Sequence, residues 1–328
     1  MPDSESMISR HILPHYRIAV VGAGAVGCYY GGKLAQFGRD VHFLMRSDLA
    51  HVRKHGLRIL SKQGNVHLPK INAYATTEEI GPVDLVLIAV KATANAALDT
   101  LLPPLLKPDG STMLMTLQNG LGNDESLAER FGPERVLGGL CFVCLNRLSP
   151  GVIDHIGHGR IEMGEFSGLP LPRTWEVQGE FKRCGVVCSV MPDLGLARWR
   201  KLVWNVPFNG LSIAAGGIDV SRILADEDLL YLTRGLMDEV IGIARKLGHE
   251  IPDSFADRNI ENTKSMGAYR TSSLIDFLEG REVEVEEIWG EPSRRGFNAG
   301  AEVGRLETLY RLIRRLVRER LEKPDGCA

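Results

Sequence analysis

VVGAGAVGCYYGG, residues 20–32, packs five glycines into thirteen positions directly behind the apolar pair Ile18-Ala19. Such density is hostile to a helix interior, because glycine loses more backbone freedom than any other residue on folding. The tail of the stretch nevertheless reads as helical. Gly22, Gly24 and Gly27 follow the spacing G-x-G-x-x-G. On its own the pattern is weak. Here it follows the apolar run RIAVVGA (17–23), read as a buried strand, and opens AVGCYYGGKLAQFG (25–38), read as a helix stopped by Gly38. Gly22 allows the tight turn. Gly24 leaves no side chain between the backbone and a pyrophosphate, and Gly27 lets helix and strand pack closely. Ala23, Ala25 and Val26 complete the loop, and the helix N-terminus offers free N–H groups and partial positive charge to phosphates. Gly22 through Gly27 are therefore the expected dinucleotide-binding residues.

The chain around this loop has 328 residues, is 44% hydrophobic and carries 39 basic against 41 acidic residues. That balance suits a globular protein of two ordinary domains and gives no global signature of nucleic-acid or membrane binding. Residues 1–15 read as a flexible extension without the features of a secretory signal. DVHFLMR (40–46), VDLVLIAV (83–90) and TMLMTLQ (112–118) read as further buried strands alternating with helices. LRILS and VHLPKINAYA read as two short strands around a Gln-Gly-Asn turn, and Ser47 as the cap of the helix DLAHVRKHG. From Leu194 onward the periodic segments are long and helical; in RLETLYRLIRRLVRERL (305–321), Leu306, Leu309, Leu312, Ile313 and Leu316 share one face. The expected class is α/β: an N-terminal Rossmann-like doubly wound sheet (16–193), then a mostly α-helical C-terminal domain (194–328), with a small-molecule site in the cleft between them.

Six cysteines in a chain of this length, without an export signal, point to reduced thiols and a cytoplasmic protein. CFVC (141–144) has metal-pair spacing, and His155 and His158 follow. In a strand, however, residues three apart face opposite ways. A core strand followed by a hairpin is the preferred reading, and no metal is expected.

The second strand ends in FLMRSD, where an NAD site would usually carry an acidic residue for the ribose 2′-hydroxyl. Arg46 stands there instead, and a guanidinium suits a 2′-phosphate, favouring NADPH over NADH. The competing reading gives the ribose to Asp48. Lys91 and Asn119 follow the next two strands, at the strand ends where such sheets bind ligands. In the second half, Lys201, Asn205 and Asn209 recur every four residues, which stacks them on one helix face. Pro207 lies among them and should kink the helix. Downstream lie Ser272, Asp276, Glu279, Glu282, Glu284, Glu286 and Glu287. Spacing alone does not choose among these carboxylates, and VEVEE could be a strand.

GAGAVG, FLMR, VKA, QNGLG, WRKLVWNVPFN and SSLIDFLEGREVEVEEIWG, in this order across nearly the whole chain beyond residue 16, resemble the ketopantoate reductases. The resemblance implies NADPH-dependent reduction of a small 2-oxo acid, ketopantoate to pantoate, on the route to pantothenate and coenzyme A. It also implies roles. Lys201 and Glu284 correspond to the catalytic pair. Ser272 corresponds to the carboxylate-binding serine, and Asn119, Asn205 and Asn209 to the substrate-facing amides. Asp276 is grouped with these substrate residues. Arg46 and Lys91 correspond to cofactor contacts, with Asn119 and Glu284 close to the nicotinamide. The remaining alternatives are a reductase of another oxo acid or imine and a non-catalytic NADPH sensor. A homodimer is one possible assembly. The chain departs from the family pattern at Trp289, at Pro207 and around Asn209-Gly210, changes expected to reshape the substrate pocket.

Overall fold

A computed structural model of the chain describes residues 16–322; the extension expected over 1–15 and Cys327 lie outside the described residues. The first half holds β1 (Arg17–Val21), α1 (Ala25–Gln36), β2 (Asp40–Leu44), α2 (Leu49–His55), β3 (Leu57–Ser61), β4 (Val66–Leu68), β5 (Asn72–Tyr74) and α3 (Thr77–Ile80). It continues with β6 (Leu85–Ile88), α4 (Leu98–Leu101), β7 (Met113–Thr116), α5 (Asn123–Phe131), β8 (Val136–Ser149), β9 (Val152–Glu165), α6 (Pro172–Arg183) and β10 (Cys188–Val190). The helical half follows as α7 (Leu194–Ala214), α8 (Val220–Ala225), α9 (Glu227–Lys246), α10 (Ser254–Lys264), α11 (Ser272–Leu278), α12 (Glu291–Asn298) and α13 (Gly304–Glu322).

The strands form one sheet in the order β4-β3-β9-β8-β7-β6-β1-β2-β5, with β10 also on β9. From β5 through β8 the neighbours run parallel, and the apolar runs β1, β6 and β7 are buried almost throughout, as strands covered on both faces must be. The chain passes from β1 to β2, makes β3 and β4 at the other end of the sheet, adds β5 beside β2, then returns to β6 and continues to β7 and β8 on the other side of β1. That reversal puts the switch point between β1 and β6, where open α/β sheets bind ligands.

The expected strand VHLPKINAYA divides at Pro69, which has no N–H for a ladder. Its first part pairs antiparallel with β3 and its second part joins β2, at the opposite end of the sheet. Only three residues separate β4 from β5. They span at most about 15 Å, so the sheet curls until its ends nearly meet.

Three further expectations are corrected. The helix expected to start on Ser47 starts at Leu49 with Asp48 at its cap position. VEVEE is not a strand: the backbone is irregular through Glu284, and Glu286–Gly290 forms a π-helical turn running into α12. On α13 the buried residues are Leu306, Leu309, Tyr310, Ile313 and Val317, while Leu312 is exposed. A true 3.6-residue period carries Leu312 off the apolar stripe.

No helix among the described residues is long and apolar enough to cross a membrane. The five described cysteines are free thiols, and no group of three metal-ligating side chains gathers among the described residues. His155 is instead engaged with the Ser61 hydroxyl at 2.9 Å and the His158 carbonyl at 3.0 Å.

Candidate active site

Four loops leave the C-terminal ends of β1, β2, β6 and β7, and each carries a residue singled out from the sequence. Gly22 has φ +100°, and a β-carbon there would lie 2.3 Å from the Val90 nitrogen. The first and third of these loops therefore touch, backbone to backbone, at the switch point. Gly27 is equally constrained, since a β-carbon would sit 2.2 Å from the Gly22 carbonyl oxygen and 2.9 Å from Val20 Cγ1. At Gly24 a β-carbon would meet nothing within 4 Å. Its bareness has no internal packing cause and faces open space at the start of α1, where no side chain caps the helix and the first turn holds no acidic residue. That is the cradle a pyrophosphate needs.

Arg46, two residues past β2, is exposed. Asp48, its competitor for a ribose, is buried and already committed. It accepts both arms of the Arg147 guanidinium, the Gly151 N–H at 3.0 Å and the Ser47 hydroxyl at 2.9 Å. These contacts hold its carboxyl below the usual range, although burial works the other way.

From the helical half, α7 runs unbroken as one α-helix through Pro207, with Asp193 capping it by accepting from the Leu196 N–H at 2.8 Å. Lys201 is thereby aimed at the sheet. Its ammonium donates to Asn119 Oδ1 at 2.8 Å and to the Cys141 carbonyl at 2.9 Å, and lies 5.4 Å from the Phe142 ring centre. The β8–β9 ladder shifts register immediately afterwards, between Phe142 and Val143. Burial pushes Lys201 down to about 8; nearby Arg198 lowers it further, while Cys141, Glu284 and Glu162 oppose the fall.

Glu284 sits across the seam, where its Oε1 accepts the Ala92 N–H at 3.2 Å. Burial raises its carboxyl to about 7, against the lowering effects of Ala92 and Lys91. Glu284 interacts with Lys201 only through space: the groups that orient the ammonium are Asn119 and the Cys141 carbonyl. Lys91 is bound at 2.9 Å to Asp276 and at 2.5 Å to the Glu282 carbonyl, and Asp276 also holds Arg281 at 2.8 Å. Lys91 and Asp276, expected on cofactor and substrate respectively, thus join the two domains to each other.

Asn209 is buried; it donates to the Asn205 carbonyl at 3.1 Å and accepts the Ser273 N–H at 3.3 Å, fixing the start of α11. Asn205, one turn beyond Lys201, is 8% exposed, and its carboxamide has no hydrogen-bond partner among the described residues. Ser272 is exposed at the first position of α11, next to the capping Thr271.

The family departures come together away from these polar groups. Trp289 is fully buried and its Nε1 donates to the Val206 carbonyl at 2.9 Å, immediately before Pro207. Gly210 makes room, because a β-carbon there would lie 2.9 Å from Trp289 Nε1 and 2.6 Å from Leu309 Cδ2. Pro207, Gly210 and Trp289 form one packing unit in the helical core. Trp289 itself is spent on packing and bonding against α7.

Sequence reasoning missed the polar residues beneath Asn119. Gln118 donates to the Val90 carbonyl at 3.0 Å and to Asn95 at 2.7 Å, Asn95 to Asn123 at 2.8 Å, and Asn123 to the Asn119 carbonyl at 2.8 Å. Glu287 stands in the sequence only as one of several carboxylates, yet its carbonyl accepts the Leu121 N–H at 2.9 Å. A β-carbon on Gly120 would lie 2.4 Å from that carbonyl oxygen, which accounts for the glycine in QNGLG. None of these side chains had a spacing that marked it.

A glycine-rich turn at a sheet switch point, facing a lysine supplied by a helical domain, is the arrangement of a Rossmann-type oxidoreductase. The chain belongs to the ketopantoate reductase family: the model described as ketopantoate reductase PanE/ApbA matches residues 18–168, and that of its C-terminal part matches residues 193–317. A 2-dehydropantoate 2-reductase from Nostoc sp. is 39% identical over 303 residues, covering 91% of this chain and 94% of the relative. The crystal structure of 2-dehydropantoate 2-reductase from Geobacter metallireducens superposes with a TM-score of 0.89 at 44% identity, covering 91% of this chain and 99% of that one. D-mandelate dehydrogenase, solved with NADH and anilino(oxo)acetate, shares the fold at 20% identity and a TM-score of 0.84, covering 92% of this chain and 99% of that one.

Proposed function

We propose that the chain reduces 2-dehydropantoate to pantoate with NADPH, in the cytoplasm, as a step toward pantothenate and coenzyme A. The observation that carries the reading is the Lys201 ammonium, delivered from the helical domain and held by Asn119 at the C-terminal edge of the sheet. The bare Gly24 cradle and the exposed Arg46 suit NADPH, the guanidinium serving the 2′-phosphate. When bound, NADPH supplies the hydride.

The protein's own residues do the rest. Lys201, protonated below about pH 8, stabilises negative charge on the ketone oxygen and gives it a proton. Asn119 and the Cys141 carbonyl hold the ammonium in place, and α7 places Asn205's unbonded carboxamide one turn further on, available to a substrate hydroxyl. Ser272 serves the substrate carboxylate. Glu284, half-buried and raised to about 7, tunes the field at Lys201 without touching it.

The test is a panel of 2-oxo acids and cyclic imines, with ketopantoate included, assayed with NADPH and separately with NADH by loss of nicotinamide absorbance. The expected result is a kcat/KM for ketopantoate with NADPH above every other combination. A higher value for another substrate would transfer the site to that substrate. Tight NADPH binding without any turnover would leave a sensor.

A further inference from the structure

Arg198 lies one helical turn before Lys201 on α7, so the two side chains leave the same side of the helix. Both cross to the sheet domain, and they land on consecutive residues of one loop. Lys201 reaches the Asn119 side chain at 2.8 Å, and Arg198 Nη1 donates to the Gln118 carbonyl at 3.0 Å. The other edge of the guanidinium forms a two-pronged pair with Asp124, Nε to Oδ2 at 2.8 Å and Nη2 to Oδ1 at 2.9 Å. Arg198 is 3% exposed, Gln118 3% and Asp124 5%. The loop between β7 and α5 is thus gripped at its start, through Gln118, and just past its end, through Asp124 in the first turn of α5.

Stability does not explain such an arrangement. Burying a charged pair costs desolvation that its mutual attraction often only offsets, and well-packed apolar residues commonly do as well. What the planar fork provides is direction: five donors in fixed geometry set the distance and angle between helix and loop. A displacement of about 1 Å at a reacting centre can cost a hundredfold in rate, and Asn119 and Lys201 lie on opposite sides of this junction.

We propose that Arg198 is a positioning residue of the reductase, its guanidinium locking the Gln118–Asp124 loop to α7 so that Asn119 holds the Lys201 ammonium where the substrate oxygen must lie. The proposal rests on the reading of Lys201 as the proton donor. Arg198 does not touch substrate; it acts through Asn119 and Lys201, and adds a fixed positive charge beside the ammonium. The charged and titratable groups facing Lys201 are Arg198 on α7, Cys141 on β8, Glu162 on β9 and Glu284 from the segment before the π turn.

Two variants test it. Arg198→Lys keeps the charge and loses the fork. The expected result is a kcat for ketopantoate reduction lower by roughly ten- to a hundredfold, with KM for NADPH and the alkaline limb of the pH profile unchanged. The double variant Arg198→Met with Asp124→Leu removes the buried charges together, which should return the melting temperature to near wild type without restoring kcat. In it, the Lys201 signal should move from its wild-type position as the ammonium loses its fixed partners, read directly by NMR after 13C reductive methylation, with Lys201→Arg assigning the signal. A wild-type kcat in Arg198→Lys, or recovery of kcat together with stability in the double variant, would overturn the proposal. Should the wild-type chain fail to reduce ketopantoate at all, the functional reading falls, and an unmoved Lys201 signal in the double variant would separately reject the role of Arg198.

Discussion

Lys201 Nζ donates to Asn119 Oδ1 at 2.8 Å across 82 residues of sequence and across the boundary between sheet and helices. The bond fixes the ammonium in a largely desolvated position, where burial lowers it to about 8 from an ordinary 10.5. Removing the side chain as Lys201→Ala should lower kcat by about a hundredfold or more, the loss expected of a general acid. In the wild type, reduction should decline as pH rises through about 8, where the ammonium gives up its proton. Steady-state rates from pH 6 to 10 on both proteins are the check, and a flat alkaline limb would remove Lys201 as the donor.

Glu284 should make stability depend on pH in the opposite sense to an ordinary salt-bridged acid. Its folded value of about 7 lies above the ordinary 4.5, so between these the folded chain holds a proton that the unfolded chain has released. That contribution is complete below 4.5 and lost as pH rises through about 7. Glu284→Gln should therefore gain melting temperature relative to wild type as pH is raised across this window. Thermal unfolding at several pH values measures it, and a pH-independent difference would assign the titration elsewhere.

Gly24 and Gly27 should part company on substitution by alanine. Gly24→Ala meets open space and should leave the melting temperature of the cofactor-free protein unchanged while weakening cofactor binding. Gly27→Ala drives a methyl group into the Gly22 carbonyl and should unfold at clearly lower temperature. Calorimetric unfolding and a cofactor titration distinguish the two.

Arg46→Ala should weaken NADPH by roughly ten- to a hundredfold, the worth of a charge-assisted hydrogen bond, and leave NADH almost untouched. Fluorescence titration with each cofactor decides it. Equal weakening would mean that Arg46 does not meet the 2′-phosphate.

Trp289→Phe keeps most of the buried ring and deletes only the donor to the Val206 carbonyl. It should destabilise by about 1–3 kcal/mol, the cost of a buried acceptor left unsatisfied. KM for the 2-oxo acid should stay unchanged, because the indole packs behind α7. Denaturant unfolding and steady-state kinetics on the same preparation test both halves.

The glycine-rich turn was readable because its demands are local. A strand, a glycine-rich turn and a helix follow one another within residues 17–36, and Gly22 and Gly27 sit where a β-carbon would strike neighbouring backbone. The four-residue spacing of Lys201, Asn205 and Asn209 was readable for the same reason, one helix face being a local property. What pairs across the seam was not. Arg198 with Asp124, Lys91 with Asp276 and Glu284 with the Ala92 N–H join positions 74 to 192 residues apart, and no periodicity ties such positions together. The division of VHLPKINAYA was signalled by Pro69, but its destination at opposite ends of the sheet depends on how far the sheet coils. The kink expected at Pro207 was a fair reading of the helix alone. A tryptophan 82 positions further along packs against that turn and occupies the carbonyl beside it.

The coiled sheet bears on how copies of this chain can meet. Its end strands, β4 and β5, are three residues each, as is the side strand β10. Open edges so short offer an incoming strand little to zip onto, a common safeguard against edge-to-edge aggregation. With edges this short, the sheet is built to carry the crevice between β1 and β6 rather than to extend into a second sheet.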